Sequence, residues 1–305
     1  MYKKFVKNPV PTAACIAVLL IILSTRTTHA QTAEQIDERI GRSGEKYTEL
    51  VYKKMDTLQL ELRVYYPSGD NGKSTYPAIV LFFGGGWVNG TITQFEQHAK
   101  YFTTRGLAAV LVDYRVTKRN KSTPFESVKD AKSAIRYVRT NSSKLRIDPD
   151  KIAAGGGSAG AHVAAAADLT ALDETGENLT VSSRPNALVL FNPVFDNGPT
   201  GYGYERIGKR YPEISPLHNI RKGAAPSLVL LGTEDKLVPV ATAELYKLKM
   251  EESGSRCDLI LYPGQPHGFF NIRPKLDKKY FYETLKEADV FLTSLGYVKK
   301  FDLAR

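Results

Sequence analysis

Cysteine is nearly absent from the 305 residues: Cys15 and Cys257 are the only two. That excludes a fold stapled by disulfides, and a chain of this length buries a large core without them. Histidine is also scarce, with five in the chain. None of the five stands with Cys, Asp or Glu at metal-ligand spacing, so neither a metal nor a cofactor is expected. No apolar run reaches the roughly 20 residues that a membrane-spanning helix needs. Internal repeats and a second-domain linker are missing too. Charge of one sign is not concentrated anywhere. Lys and Arg outnumber Asp and Glu by 42 to 32, a formal +10, but they are scattered, with short clusters such as Lys118-Arg119-Asn120-Lys121. A nucleic-acid binder gathers its charge on one face or helix, so no nucleic-acid partner is expected. With 42% apolar and 24% charged residues, the chain is globular rather than disordered.

The first thirty residues read differently from the rest. Lys3, Lys4 and Lys7 precede an apolar stretch from Ala13 to Leu23, and Thr28-His29-Ala30 follows as a small-x-small site. This is the order of a secretory signal peptide cut after Ala30, with an uncleaved anchor as the alternative. Cleavage would remove four basic residues and leave +6. The expected layout is a signal peptide over 1–30, a polar N-terminal segment over 31–46, and a single α/β domain over 47–305. The expected location is outside the cytoplasm, periplasmic or secreted, with no stable membrane insertion after cleavage. Cys257 then remains alone, at the head of an apolar run, and buried strand packing is expected of it.

Two alternating stretches, Tyr47–Lys54 and Leu58–Tyr66, have the period of two of half-buried antiparallel strands. Continuous apolar runs follow at Ala78–Phe83, Leu107–Val112, Lys151–Ala154, Ala187–Phe191, Ser227–Leu231 and Cys257–Tyr262. Such runs are strands covered on both faces, hence a parallel sheet. Helical patterns lie between them, at Gln94–Arg105, Phe125–Thr140, Ala159–Leu169, Ala241–Ser253 and Leu276–Leu295. The pattern predicts an α/β fold: a mainly parallel twisted sheet, antiparallel N-terminal edge strands and helices on both faces. Pro193–Ala225, rich in Gly, Pro and Tyr, is long for a loop and is expected to hold short helices over the active-site face.

Gly156-Gly157-Ser158-Ala159-Gly160 fits G-x-S-x-G between a strand and a small-residue helix. That context puts a serine on a strained turn, with its hydroxyl above the sheet. A glycine turn that merely packs helix on strand is the plainer alternative. Phe83-Gly84-Gly85-Gly86-Trp87 ends an apolar strand. Backbone N–H groups of Gly85 and Gly86, joined by Ala159 N–H at the helix start, suit an oxyanion hole. No Gly-Lys-Ser/Thr follows that run, and its spacing is not that of a dinucleotide loop. Phe83 and Trp87 are expected to line the substrate site. Asp235 follows one buried strand and His267 another, giving the order Ser158, Asp235, His267, with both partners at the strand ends where open sheets bind ligands. Glu234 is expected to point elsewhere, and His162, one turn along the nucleophile's helix, to pack near the site.

Together with Asp113-Tyr114-Arg115, Arg146–Ile152, Gly232-Thr233-Glu234-Asp235 and Pro266-His267-Gly268-Phe269, these motifs resemble the α/β-hydrolase esterases of the hormone-sensitive-lipase and feruloyl/acetylxylan-esterase-like group. The resemblance covers Tyr47 to the C-terminus. It implies a serine carboxylesterase acting on short-chain acyl esters through an acyl-enzyme, with a small-molecule or oligosaccharide ester as partner and a leaning toward carbohydrate deacetylation. One departure stands out: the group usually begins its oxyanion loop with His, and here that position is Phe83. A serine exopeptidase-like hydrolase and a non-catalytic binding protein on the same scaffold are the competing readings.

Overall fold

The computed structural model describes residues 33–41, 43, 46–272 and 277–299; the signal-peptide reading of 1–30 lies outside the described residues. Eight strands form one sheet in the order β1-β2-β4-β3-β5-β6-β7-β8. They are β1 (Tyr47–Met55), β2 (Leu58–Tyr65), β3 (Tyr76–Phe82), β4 (Ala108–Val112), β5 (Ile147–Gly157), β6 (Ala187–Phe191), β7 (Ser227–Gly232) and β8 (Cys257–Tyr262). β1 pairs antiparallel with β2, and β2 with β4; all other pairs are parallel.

The continuous apolar strands serve two cores. In β4, Ala108, Val110 and Val112 enter one cluster while Ala109 and Leu111 enter the other. In β6, Leu188 and Leu190 face the first and Ala187, Val189 and Phe191 the second. The first cluster is closed by α4 (Pro124–Thr140), α5 (Ala159–Leu169) and α7 (Val240–Glu252). The second is closed by α2 (Glu96–Thr104) and α8 (Lys279–Ser294), with Ile36 of a short helix α1 over 33–41 joining it. A single-turn helix, α3 (Thr117–Asn120), lies between β4 and α4. Each fully buried Val, Leu or Ile contributes about 1.5–3 kcal/mol, against about 0–1 kcal/mol for an exposed ion pair, so the two-faced sheet holds the fold. Cys257 is buried as expected, and burial pushes its thiol up to about 12.

Boundaries shift where local chemistry intervenes. The strand expected at Lys151–Ala154 starts at Ile147 and crosses Pro149. Tyr76 pairs with Ile147 and Ala78 with Ile152, so residues 148–151 bulge out of the ladder and proline breaks no bond there. The helix expected from Gln94 begins as a 3-10 turn, Ile92–Phe95, before α2. α4 starts at Pro124, where the Glu126 carboxylate accepts the Thr123 N–H at 2.8 Å. α8 starts at Lys279, with residues 273–276 outside the description. The Tyr-rich stretch folds into three short helical pieces: α6 (Tyr204–Ile207) and two 3-10 turns, Gly208–Glu213 and Pro216–His218. No described helix is long and apolar enough to cross a membrane.

Candidate active site

Five loops at the C-terminal ends of the parallel strands build the site, the edge where such sheets bind ligands. Ser158 stands between β5 and α5 with φ 55° and ψ −118°, a left-handed strain that a nucleophile elbow carries. Its N–H is anchored to Phe191 O of β6 at 2.9 Å. The turn is tight enough that a Cβ on Gly160 would lie 2.1 Å from Phe82 O, which is why glycine stands two residues after the serine.

His267 Nε2 lies 2.9 Å from Ser158 Oγ, and His267 Nδ1 lies 2.7 Å from Asp235 Oδ2. Asp235 Oδ1 accepts the N–H groups of Leu237 and Val238 at 2.8 and 3.0 Å. With that oxygen taken by the backbone, Oδ2 is left for the imidazole Nδ1–H, so Nε2 presents its lone pair to the serine hydroxyl. The Asp235 side chain is fully buried while His267 keeps 22% of its surface, and Glu234 is exposed. Three residues from separate loops thus meet in one hydrogen-bonded line.

The glycine loop after β3 lies beside them. Gly84 N–H is already used: it donates to Gln94 Oε1 at 2.6 Å. The N–H groups of Gly85, Gly86 and Ala159 carry no hydrogen bond to another described residue. Gly85 has φ 124°, and a Cβ there would come 2.2 Å from Asn89 O, so only glycine permits the curl that frees its amide.

Phe83 and Trp87 correct the sequence-based expectation. Both are 1% exposed, so they support the loop rather than offering a surface to substrate. Phe83 stacks on Tyr114 at 4.2 Å between ring centroids, and Tyr114 Oη donates to Phe83 O at 2.6 Å. Tyr114 is aimed by its neighbour. Arg115 grips the fully buried Asp130 of α4 with Nε at 2.7 Å and Nη2 at 2.8 Å, and Lys53 joins at 2.7 Å. Trp87 Nε1 donates to His162 Nδ1 at 3.3 Å, and His162 Nε2 meets Asn197 Oδ1 at 2.9 Å. Burial holds the His162 imidazole down at about 4, so it is a neutral strut near neutral pH. Arg206 of α6 donates from Nη1 to Gly86 O at 2.6 Å, with its guanidinium 5.4 Å from the Trp87 ring centroid.

Four residues escaped the sequence reading: Gln94, Asn192, Arg206 and Asn271. Asn192, with φ 36°, is 1% exposed at the end of β6. Its Oδ1 accepts Gly268 N–H at 2.9 Å and its Nδ2 lies 3.4 Å from His267 Nε2. A polar side chain closing the all-apolar run of β6 was the available signal. Arg206 and Gly86 are 120 positions apart, and no spacing rule links them.

The fold has close counterparts among solved structures. Thermogutta terrifontis esterase 2 superposes with a TM-score of 0.80 and is 40% identical, covering 84% of this chain and 97% of its own. The chain belongs to the α/β-hydrolase-fold esterases. Within that family, the BD-FAE profile matches residues 62–200 and the dienelactone hydrolase family profile matches 195–299. Esterase LipC of Mycobacterium tuberculosis is 29% identical over 64% of this chain and 54% of its own length. An acetylxylan esterase of Xylanibacter ruminicola is 24% identical over 82% of this chain and 49% of its own. The chain spans about half the length of these curated relatives. The Thermogutta esterase has also been solved bound to propionate and to butyrate, and phosphonylated by sarin.

Proposed function

We propose that this family member is a serine carboxylesterase that hydrolyses short-chain acyl esters through an acyl-enzyme, with Ser158 as nucleophile, His267 as general base and acid, and Asp235 as its orienting partner. One observation carries the reading: Ser158 Oγ, His267 and Asp235 in a continuous line at 2.9 and 2.7 Å. His267 Nε2 takes the hydroxyl proton as Ser158 Oγ bonds the ester carbonyl carbon. The carbonyl oxygen becomes an oxyanion facing the free N–H groups of Gly85, Gly86 and Ala159, which are fixed before charge develops. Collapse breaks the carbon–oxygen bond to the alcohol, which leaves with the proton from His267. Water then attacks the acyl-serine by the same route and releases the acid.

Short acyl groups are favoured because a homologue 38–39% identical accommodates propionate and butyrate. Its capture by an organophosphonate supports the nucleophilic mechanism. A carbohydrate ester as the natural substrate is supported by the name of one relative, an acetylxylan esterase. Export is supported by the basic, apolar, small-residue order of residues 1–30. A panel of p-nitrophenyl acetate, butyrate and octanoate beside acetylated xylan tests the reading. Acetate and butyrate should be turned over fastest, and Ser158→Ala should abolish turnover with the fold intact. Retained turnover in that variant would overturn the assignment.

A further inference from the structure

A continuous chain of hydrogen bonds runs from the oxyanion loop to the loop that carries His267. Gly84 N–H donates to Gln94 Oε1 at 2.6 Å, Gln94 Nε2 donates to Asn271 Oδ1 at 2.9 Å, and Asn271 Nδ2 donates to Gly268 O at 3.0 Å. Both ends have fixed polarity: a backbone N–H can only donate and a backbone carbonyl can only accept. Each amide side chain therefore has a single orientation that satisfies its neighbours, and the chain reads one way from Gly84 to Gly268. Gly268 is also held through its N–H, in the peptide that joins it to His267, which donates to Asn192 Oδ1 at 2.9 Å. His267 is the next residue. The Gly84 amide precedes the free N–H groups of Gly85 and Gly86.

We propose that Gln94 and Asn271 are positioning residues: an amide clasp that sets the distance and tilt between the oxyanion donors and His267. The proposal rests on the serine-esterase reading above. It also accounts for Phe83 where the resemblance expects His. The Phe83 side chain has no polar atom with which to brace the loop, and the braces come instead from Tyr114 on its carbonyl and from Gln94 on the next N–H. Neither amide side chain meets the reacting atoms. Their effect is geometric, and misplacement of reacting groups by about 1 Å is enough to cost on the order of a hundredfold in rate.

Gln94→Leu keeps the size but not the bonds. It should lower kcat for p-nitrophenyl butyrate roughly ten- to hundredfold while KM stays within about twofold. Asn271→Leu should do the same, and the double variant should be little worse than either, because one clasp is broken only once. Gln94→Glu provides a reversible form. Its protonated carboxyl can accept from Gly84 and donate to Asn271, whereas the ionised carboxylate faces Asn271 Oδ1 with a second acceptor. Its kcat relative to the wild type should fall as pH rises. Taking the ratio removes the groups common to both proteins, among them His267 and the Glu96–Lys100 pair on α2. Hydrogen exchange at the Gly84 amide reads the clasp without any turnover and should accelerate in Gln94→Leu. If the wild type turns over no ester, the functional reading fails while this exchange still judges the clasp. Wild-type kcat in Gln94→Leu, fully multiplicative losses in the double variant, a pH-independent ratio for Gln94→Glu, or unchanged Gly84 exchange would each overturn the proposal.

Discussion

The side chains proposed to react and the loop beside them are held in different ways. Ser158 and Asp235 each meet His267 directly, and each of the three follows a strand of its own. The Phe83–Trp87 loop is held at second hand by Tyr114, Gln94, Arg206 and His162, from four separate segments. Chemistry fixes the residue types of the line, because few side chains can attack, shuttle a proton or orient an imidazole. The struts need only deliver a donor or acceptor to a backbone atom, and many sequences can do that. The line should therefore fail steeply when altered and the struts in graded steps.

The largest loss is expected in the line. Ser158→Ala should remove essentially all acyl-enzyme turnover, a loss on the order of a millionfold when the residual binding site remains. Asp235→Asn should lower kcat by about ten-thousandfold, since an amide at this position no longer holds the tautomer with Nδ1 protonated. Steady-state kinetics on p-nitrophenyl butyrate measures both. A loss at Asp235 no greater than at the struts would erase the distinction.

The struts come next. Tyr114→Phe leaves the Phe83 carbonyl without its 2.6 Å bond in a buried site, at about 1–3 kcal/mol of stability. Chemical denaturation should show that loss together with a several-fold fall in kcat. A larger kcat effect than that of Asp235→Asn would reverse the ranking of line over struts.

The smallest effect separates two buried histidines. His162 has partners on both ring nitrogens, whereas His98 has none among the described residues and is enclosed by Phe95, Phe191, Phe270 and Phe281. Burial lowers His98 from an ordinary value of 6.5 to about 3 and His162 to about 4. Between those values and 6.5 the unfolded chain takes up protons that the folded protein refuses. The contribution of these two groups to stability is therefore full above pH 6.5 and declines as pH falls toward 3. His98→Phe removes two unsatisfied nitrogens and one of these groups. Near neutral pH it should leave stability unchanged or raise it by up to about 1 kcal/mol, and it should flatten the decline below pH 6. Melting curves between pH 4 and 8 read both, and a destabilised variant with an unchanged slope would count against a filler role for His98.

Much of the fold was legible in the sequence because burial on both faces writes itself as unbroken apolar runs. β4 and β6 are examples, and Leu60, Leu62 and Val64 of β2 mark the half-buried edge by alternation. The meeting of Ser158, Asp235 and His267 was legible because short motifs surround each of them. What stayed hidden is long-range and non-periodic. Gln94 meets Asn271 across 177 positions. Trp87 and Phe83 looked like substrate contacts because aromatic residues beside a glycine run suit either a pocket wall or a buried prop. Their burial against His162 and Tyr114 is a tertiary fact with no local signature.

Covalent trapping reaches the hydroxyl at 158 directly. After incubation with a fluorophosphonate, peptide mapping should find a single phosphonyl adduct, on Ser158, and His267→Ala should slow its formation by at least a thousandfold. An adduct on another residue, or equal labelling rates in the two proteins, would contradict a serine activated by that imidazole.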